Sequence, residues 1–195
     1  LSERLTYGSH SVYLNDISPD GKKLLCSTSK SNITECPFSL SSLFEIDLAT
    51  LQGDTLVLWD PYLGGGQYSP DGKQLLLTGG PAAFGGIGKN CGDHPIPNDF
   101  DTQAFIMDLS TKKITPITRD FNPTVSPLQW NRADGCIYFS TTDEDCVHIY
   151  RYTPKTGQYE MLPLKEDVIS SFTVAEDNPS VAAYVGGGNT SVGGA

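Results

Sequence analysis

Ile17-Ser18-Pro19-Asp20-Gly21-Lys22-Lys23-Leu24-Leu25 recurs as Tyr68-Ser69-Pro70-Asp71-Gly72-Lys73-Gln74-Leu75-Leu76, and this repeated word decides how the whole chain is read. Proline presets φ at the first corner of a tight turn, aspartate bonds backbone amides ahead of it, and glycine supplies a positive φ. Each copy feeds a short apolar run, Leu24-Leu25-Cys26 or Leu75-Leu76-Leu77, with turn residues on both sides. Such a run is too short for a helix and has the character of a strand buried on both faces. A looser third copy runs from Trp130 to Tyr138 with Asp134-Gly135 at its turn, and a degenerate fourth is Ala175-Glu176-Asp177-Asn178-Pro179-Ser180-Val181.

A second word follows each turn. Phe44-Glu45-Ile46-Asp47-Leu48-Ala49-Thr50 matches Phe105-Ile106-Met107-Asp108-Leu109-Ser110-Thr111, and Ile149-Tyr150-Arg151-Tyr152-Thr153 through Thr156-Gly157 is the third version. Its period of two predicts a strand ending in a turn. Outer strands are expected at Thr55–Trp59, Ile114–Thr118 and Gln158–Leu162, the middle one tolerating Pro116 because edge strands can. The turn pairs recur at roughly the length of one blade, and no helical periodicity interrupts them, so the reading is an all-β chain, a β-propeller of four-stranded antiparallel blades. A two-sheet sandwich does not explain why both words recur in the same order.

The whole chain, 1–195, is read as propeller, with blades near 9–60, 62–119 and 122–164 and a partial blade over 167–195. Glu3-Arg4-Leu5-Thr6 resembles Pro116-Ile117-Thr118-Arg119 and is expected to be an outer strand, whereas the strand near Val181–Val185 is expected to have nothing behind it. Three whole blades and parts of two more make an incomplete ring, a fragment of a longer chain; the alternative is a four-bladed ring sharing its last blade between the termini.

Composition narrows the function classes. With 13 Lys and Arg against 23 Asp and Glu, the 195-residue chain carries a formal charge of −10, which excludes nucleic acid as a partner on electrostatic grounds. Its 38% hydrophobic residues suffice for a core, and no run is long enough for a membrane span. Cys26, Cys36, Cys91, Cys136 and Cys146 form neither a zinc pattern nor a dense disulfide framework.

Antiparallel alternation places successive turns on opposite faces. The Asp-Gly turns share one face, and the connections between second and third strands share the other. There the chain carries Lys30–Ser41 in the first blade, the long insertion Gly79–Phe100 in the second, and a bare hairpin tipped by Asp143-Glu144-Asp145 in the third. A loop as long as the insertion calls for a function. Its Gly85-Gly86-Ile87-Gly88-Lys89-Asn90 lacks the Ser or Thr and the following helix of a phosphate loop. Cys91 and His94 lack the companions that would complete a metal site, and Asp99 and Asp101 lack the Gly and Glu of a calcium loop. No cofactor or metal is therefore assigned. The insertion is read as a lid or contact surface, with Phe84, Ile87, Lys89, His94, Asn98 and Asp99 as candidate contact residues and its removal expected to leave stability nearly unchanged. Asp20, Gly21, Asp71, Gly72, Asp134 and Gly135 are read as structural turn residues. No serine lies in a Gly-x-Ser-x-Gly elbow, so no catalytic residue is assigned.

The two Ser-Pro-Asp-Gly-Lys turns and the Asp-Leu-x-Thr strand ends resemble the propeller repeats of prolyl oligopeptidase-type serine peptidases and of TolB-like periplasmic proteins. Gly-Ile-Gly-Lys-Asn, Ile96-Pro97-Asn98 and Thr115-Pro116-Ile117-Thr118-Arg119-Asp120-Phe121-Asn122-Pro123 further resemble bacterial peptidases of that family. The resemblance implies a non-catalytic propeller that restricts which peptides reach the Ser, Asp and His of an α/β-hydrolase domain encoded downstream, in a secreted or periplasmic protein. The TolB-like alternative implies a scaffold for protein contacts.

Overall fold

The computed structural model describes residues 4–6, 8–91, 101–121, 123–188 and 191–194. The fold is a partial β-propeller. Its first blade is β1 (Val12–Ile17), β2 (Lys23–Ser31), β3 (Ser39–Asp47) and β4 (Gly53–Asp60), bonded in chain order. The second is β5 (Leu63–Tyr68), β6 (Gln74–Gly79), β7 (Gln103–Asp108) and β8 (Ile114–Pro116). The third is β9 (Thr124–Trp130), β10 (Ile137–Asp143), β11 (Cys146–Thr153) and β12 (Gln158–Met161), and β13 (Val168–Val174), β14 (Ala182–Gly188) and β15 (Ser191–Gly194) begin a fourth. A single parallel pair, Val147 with Val168, joins the third and fourth blades into one hydrogen-bonded sheet.

Register explains the packing. Leu25 pairs with Glu45, Leu76 with Ile106 and Tyr138 with Arg151, so the two repeated words stand opposite each other at the same positions in three blades. Alternate residues of the central strands point to opposite neighbours. Leu25 and Leu43 of the first blade cluster with Leu75, Leu77, Phe105 and Met107 of the second. Leu76 and Ala104 cluster with Ile137, Phe139 and Tyr152 of the third, and Tyr138 and Ile149 with Ile169, Phe172 and Val174 of the fourth. The core is thus a series of apolar slabs between sheets, which is why the central strands read as continuous apolar runs.

Blade-to-blade clamps add to the slabs. Asp16 Oδ2 accepts the Tyr68 amide at 2.8 Å, and Gln129 both donates to the Val174 carbonyl and accepts its amide at 3.0 Å. Asp16 and Gln129 occupy the same place, two residues before the turn Ser or Asn, but their chemistry differs, so no repeated letter marks the clamp.

Two sequence expectations are corrected. Arg4–Thr6 is not a strand; it crosses the face of the first blade, with Leu5 and Thr6 lining a groove against Phe44, Ile46 and Trp59. Ile117 packs in the corresponding place on the slab ahead of the third blade, so the likeness was to an apolar crossing segment. The strand Ala182–Gly188 does have one behind it, since β15 pairs with β14. Ala83–Gly86 forms one tight turn, α1, in which Phe84 and Gly85 take left-handed rather than right-handed helical angles, so it leaves no period in the sequence.

Candidate functional site: the loop rim and the turn face

On the turn face, Ser18 Oγ accepts the Lys23 amide at 2.8 Å and donates to Asp20 Oδ1 at 2.7 Å. Ser69 and Asp71 repeat this, with the Gln74 amide on Ser69 Oγ at 2.9 Å and the Lys73 amide on Asp71 Oδ1 at 3.1 Å. In the third copy Asn131 Oδ1 takes the Ala133 amide and Asp134 Oδ1 the Cys136 amide. Gly21, Gly72 and Gly135 all stand at positive φ, +69°, +69° and +68°. The serine hydroxyls, followed by backbone amides, hold the Asp20 and Asp71 carboxyls below the ordinary carboxylate range.

Between the first two of these turns lies a cavity of about 310 Å³ lined by Ser18, Pro19, Asp20, Lys23, Glu45, Tyr68, Asp71 and Gly72. Glu45 is 4% exposed and stands where the second blade has Ile106. Its carboxylate accepts the Tyr68 hydroxyl at 2.7 Å and the Lys23 ammonium at 2.9 Å. Burial first, then this bond to a carboxylate, pushes the Tyr68 phenol up; the bond to Glu45 raises Lys23 against the opposing effect of burial. The third blade has Arg151 at the same position, ion-paired with Glu160, so two of the three blades carry a paired charge there and one an aliphatic side chain. Sequence reading passed over Glu45, because its partners Lys23 and Tyr68 lie 22 and 23 residues away along the chain.

On the opposite face, the β2–β3 loop projects Ile33 and Phe38, 86% and 66% exposed. Beside it the start of the insertion is built into the molecule. Asp60, the last residue of β4, accepts the Tyr62 amide at 2.8 Å and the Phe84 amide at 2.6 Å, tying the first blade to α1. Phe84 meets Phe105 edge-on with centroids 4.9 Å apart, and Ile87 packs on the same core cluster around a fully buried Ala83. Phe84 itself adopts φ +54°. A Cβ on Gly88 would lie 3.0 Å from the Pro81 carbonyl oxygen and from the Phe105 ring, so glycine gives the tightest fit of backbone to core there.

The structure thus separates the candidate contact residues. Phe84 and Ile87 are anchors, Lys89 is exposed at the rim, and His94, Asn98 and Asp99 lie outside the described residues. The expectation that the insertion is dispensable for stability is corrected for its first part, because removing Ala83, Phe84 and Ile87 would uncover the core between the first two blades. The bare hairpin turns at Glu144-Asp145 between Asp143 and Cys146. All five cysteines are free, and among the described residues no three His, Cys, Asp or Glu side chains converge as a metal site would need. No helix is long and apolar enough to cross a membrane among the described residues.

No family model and no curated protein matches the chain. Solved structures do. TolB from Acinetobacter baumannii is 20% identical with a TM-score of 0.63, over 97% of this chain and 41% of that one. An oligogalacturonate lyase from Vibrio parahaemolyticus is 16% identical with a TM-score of 0.61, over 93% and 46%. Pyrococcus horikoshii acylaminoacyl peptidase is 17% identical with a TM-score of 0.54, over 90% and 28%. The chain spans less than half the length of each, and the likeness establishes the propeller fold.

Proposed function

We propose that this chain is part of the substrate-gating, non-catalytic propeller of a secreted or periplasmic serine peptidase acting on peptides. The observation that carries the reading is the anchored insertion. Asp60, Phe84 and Ile87 fix the base of a long loop at the junction of two blades, on the face that also bears the Ile33 and Phe38 loop. A fixed base under a long connection makes a rim whose shape selects what passes it. The sequence words shared with prolyl oligopeptidase-type peptidases, and the fold shared with an acylaminoacyl peptidase, support the same reading.

The catalytic Ser, Asp and His of that reading belong to an α/β-hydrolase domain on the same polypeptide. The test is to sequence the gene beyond this segment and assay its full product. A Gly-x-Ser-x-Gly elbow followed by Asp and His within ~300 residues, with peptide hydrolysis lost on mutating that Ser, is the expected result. Absence of the elbow sinks the peptidase reading. The scaffold reading is favoured instead by the likeness to TolB over 97% of the chain, and it would then be tested by partner binding through the same rim.

A further inference from the structure

Among the described residues, five other than glycine take a positive φ. Leu51 and Lys112 stand in the turns after β3 and β7, at the place that Gly157 fills after β11, and Glu144 tips the bare hairpin. Those three are ordinary turn positions. The other two are large aromatics, Trp59 at +50° and Phe84 at +54°, and both adjoin one carboxylate. Trp59 sits where the register of β4 on β3 shifts, its amide held by Ser42 Oγ at 2.8 Å, and the next residue is Asp60. Asp60 Oδ1 accepts the Tyr62 amide and Asp60 Oδ2 the Phe84 amide.

A left-handed backbone is disfavoured for any residue with a Cβ, so Phe84 keeps it only while its surroundings hold it there. The Asp60 carboxylate holds its amide, its ring meets Phe105, and Ile87 packs on the same core cluster. Working against these contacts is Gln103 Oε1, sealed from solvent against Gly88 with no donor among the described residues. A buried acceptor without a donor opposes the seated form. Ala83, fully buried with its amide on the Gly80 carbonyl at 3.0 Å, is the fixed end of the segment. Gly85 and Gly86, at φ +77° and +83°, supply flexible links after it. Residues 84–89 are therefore seated by one charge-assisted hydrogen bond and a partial apolar contact, against backbone strain and an unpaired acceptor.

We propose that residues 84–89 form a latch: Asp60 holds them seated, and their release lifts them from the core as one unit while the blades stay folded. The sheets need not change, because the pairing of β6 with β7 involves none of these residues. Opening of such a unit at a free energy below that of global unfolding is how locally weak segments behave. The latch deepens the gating reading and rests on it for its consequence, which is that the released state widens the rim between the first two blades and admits larger peptides.

The experiment is amide hydrogen exchange on the full-length protein, read separately over residues 84–89 and over β6 and β7. Asp60→Asn keeps a carbonyl oxygen for the Tyr62 amide but sets an N–H donor against that of Phe84. Exchange over residues 84–89 should then rise by about tenfold or more, the effect of losing a hydrogen bond to a charged acceptor. Gly85→Ala should act in the same direction, because a Cβ there meets nothing within 4 Å and adds only left-handed strain. Gln103→Met, which removes the unpaired carbonyl at similar length, should slow exchange below that of the unmodified protein. In all three variants β6 and β7 should exchange as before. Exchange that rises across β6 and β7 together with residues 84–89, that ignores Asp60→Asn and Gly85→Ala, or that quickens in Gln103→Met overturns the latch. The measurement needs no peptidase activity. If the segment opens locally in Asp60→Asn and the relative turnover of long and short peptides is unaltered, the latch stands and the gating reading fails.

Discussion

Asp71 shows how much of this molecule is settled within a few residues. Its carboxylate takes the Ser69 hydroxyl at 2.7 Å and the Lys73 amide at 3.1 Å, and Gly72 follows at φ +69°. Asp71→Ala should cost about 1 kcal/mol in chemical denaturation through the lost turn bonds. Gly72→Ala should cost at least as much, because the new Cβ is forced into the left-handed region. The carboxyls of Asp20, Asp47, Asp71 and Asp108 are all held low by hydroxyl and amide donors: serine hydroxyls come first for Asp20, Asp71 and Asp108, and the Thr50 amide for Asp47. A depressed folded pKa gives stability that is fully present above the unfolded value near ~4 and is lost as pH falls through the folded one. Acid titration should therefore leave stability flat down to about pH 4 and erode it below. Replacing Asp71 and Asp108 together by Asn should flatten that erosion, and an unchanged acid limb would show these turns to be uncoupled from folding.

At the scale of one element, α1 and the residues after it decide whether the insertion is ornament or structure. Phe84 loses both an aromatic partner and core contact if truncated, so Phe84→Ala should lower stability by about 2 kcal/mol, below the cost of a fully buried phenylalanine because the ring is only partly enclosed. Lys89→Ala, at an exposed position, should change it by no more than ~0.5 kcal/mol. Equal effects in thermal denaturation would mean that the anchor and the rim are one mechanical unit. Glu45 belongs to this scale too. Its carboxylate is buried between two sheets but bonded to Tyr68 and Lys23, so the element tolerates a charge where its counterpart β7 carries the partly buried Ile106.

Across the whole molecule, stability resides in three apolar slabs between neighbouring blades, while the connecting loops add length on one face alone. That division predicts a separation of effects in the full-length protein. Replacing Lys89–Asn98 by a short glycine-containing turn, with Ala83–Ile87 kept, should leave the melting temperature nearly unchanged, since loop length alters closure entropy by only about 0.6 kcal/mol per doubling. On the proposed gating function, peptide-length selectivity, read as relative turnover of a graded peptide series, should broaden. Unaltered selectivity would reduce the distal part of the loop to a neutral connection.

The sequence alone determined the strands of the three whole blades, their turns and their order, because these depend on local chemistry: proline and glycine at fixed corners, alternation along short runs, and two words repeated in register. It also determined that the long connections fall on the face opposite the Asp-Gly turns, since antiparallel alternation leaves no other place. Only the tertiary structure decided which side of each strand meets which neighbour, so that Leu24 and Leu25, adjacent in sequence, lie on opposite sides of the blade and Leu25 joins the slab shared with the second. It likewise turned Phe84 and Ile87 from surface candidates into anchors and Arg4–Thr6 from a strand into a crossing segment. Glu45 reads as one polar letter in an alternating strand, and its pairing with Lys23 and Tyr68 exists only once two sheets are stacked. The physical reason is common to all of these: turns and strands are written in neighbouring residues, whereas burial and charge pairing arise between residues that only packing brings together.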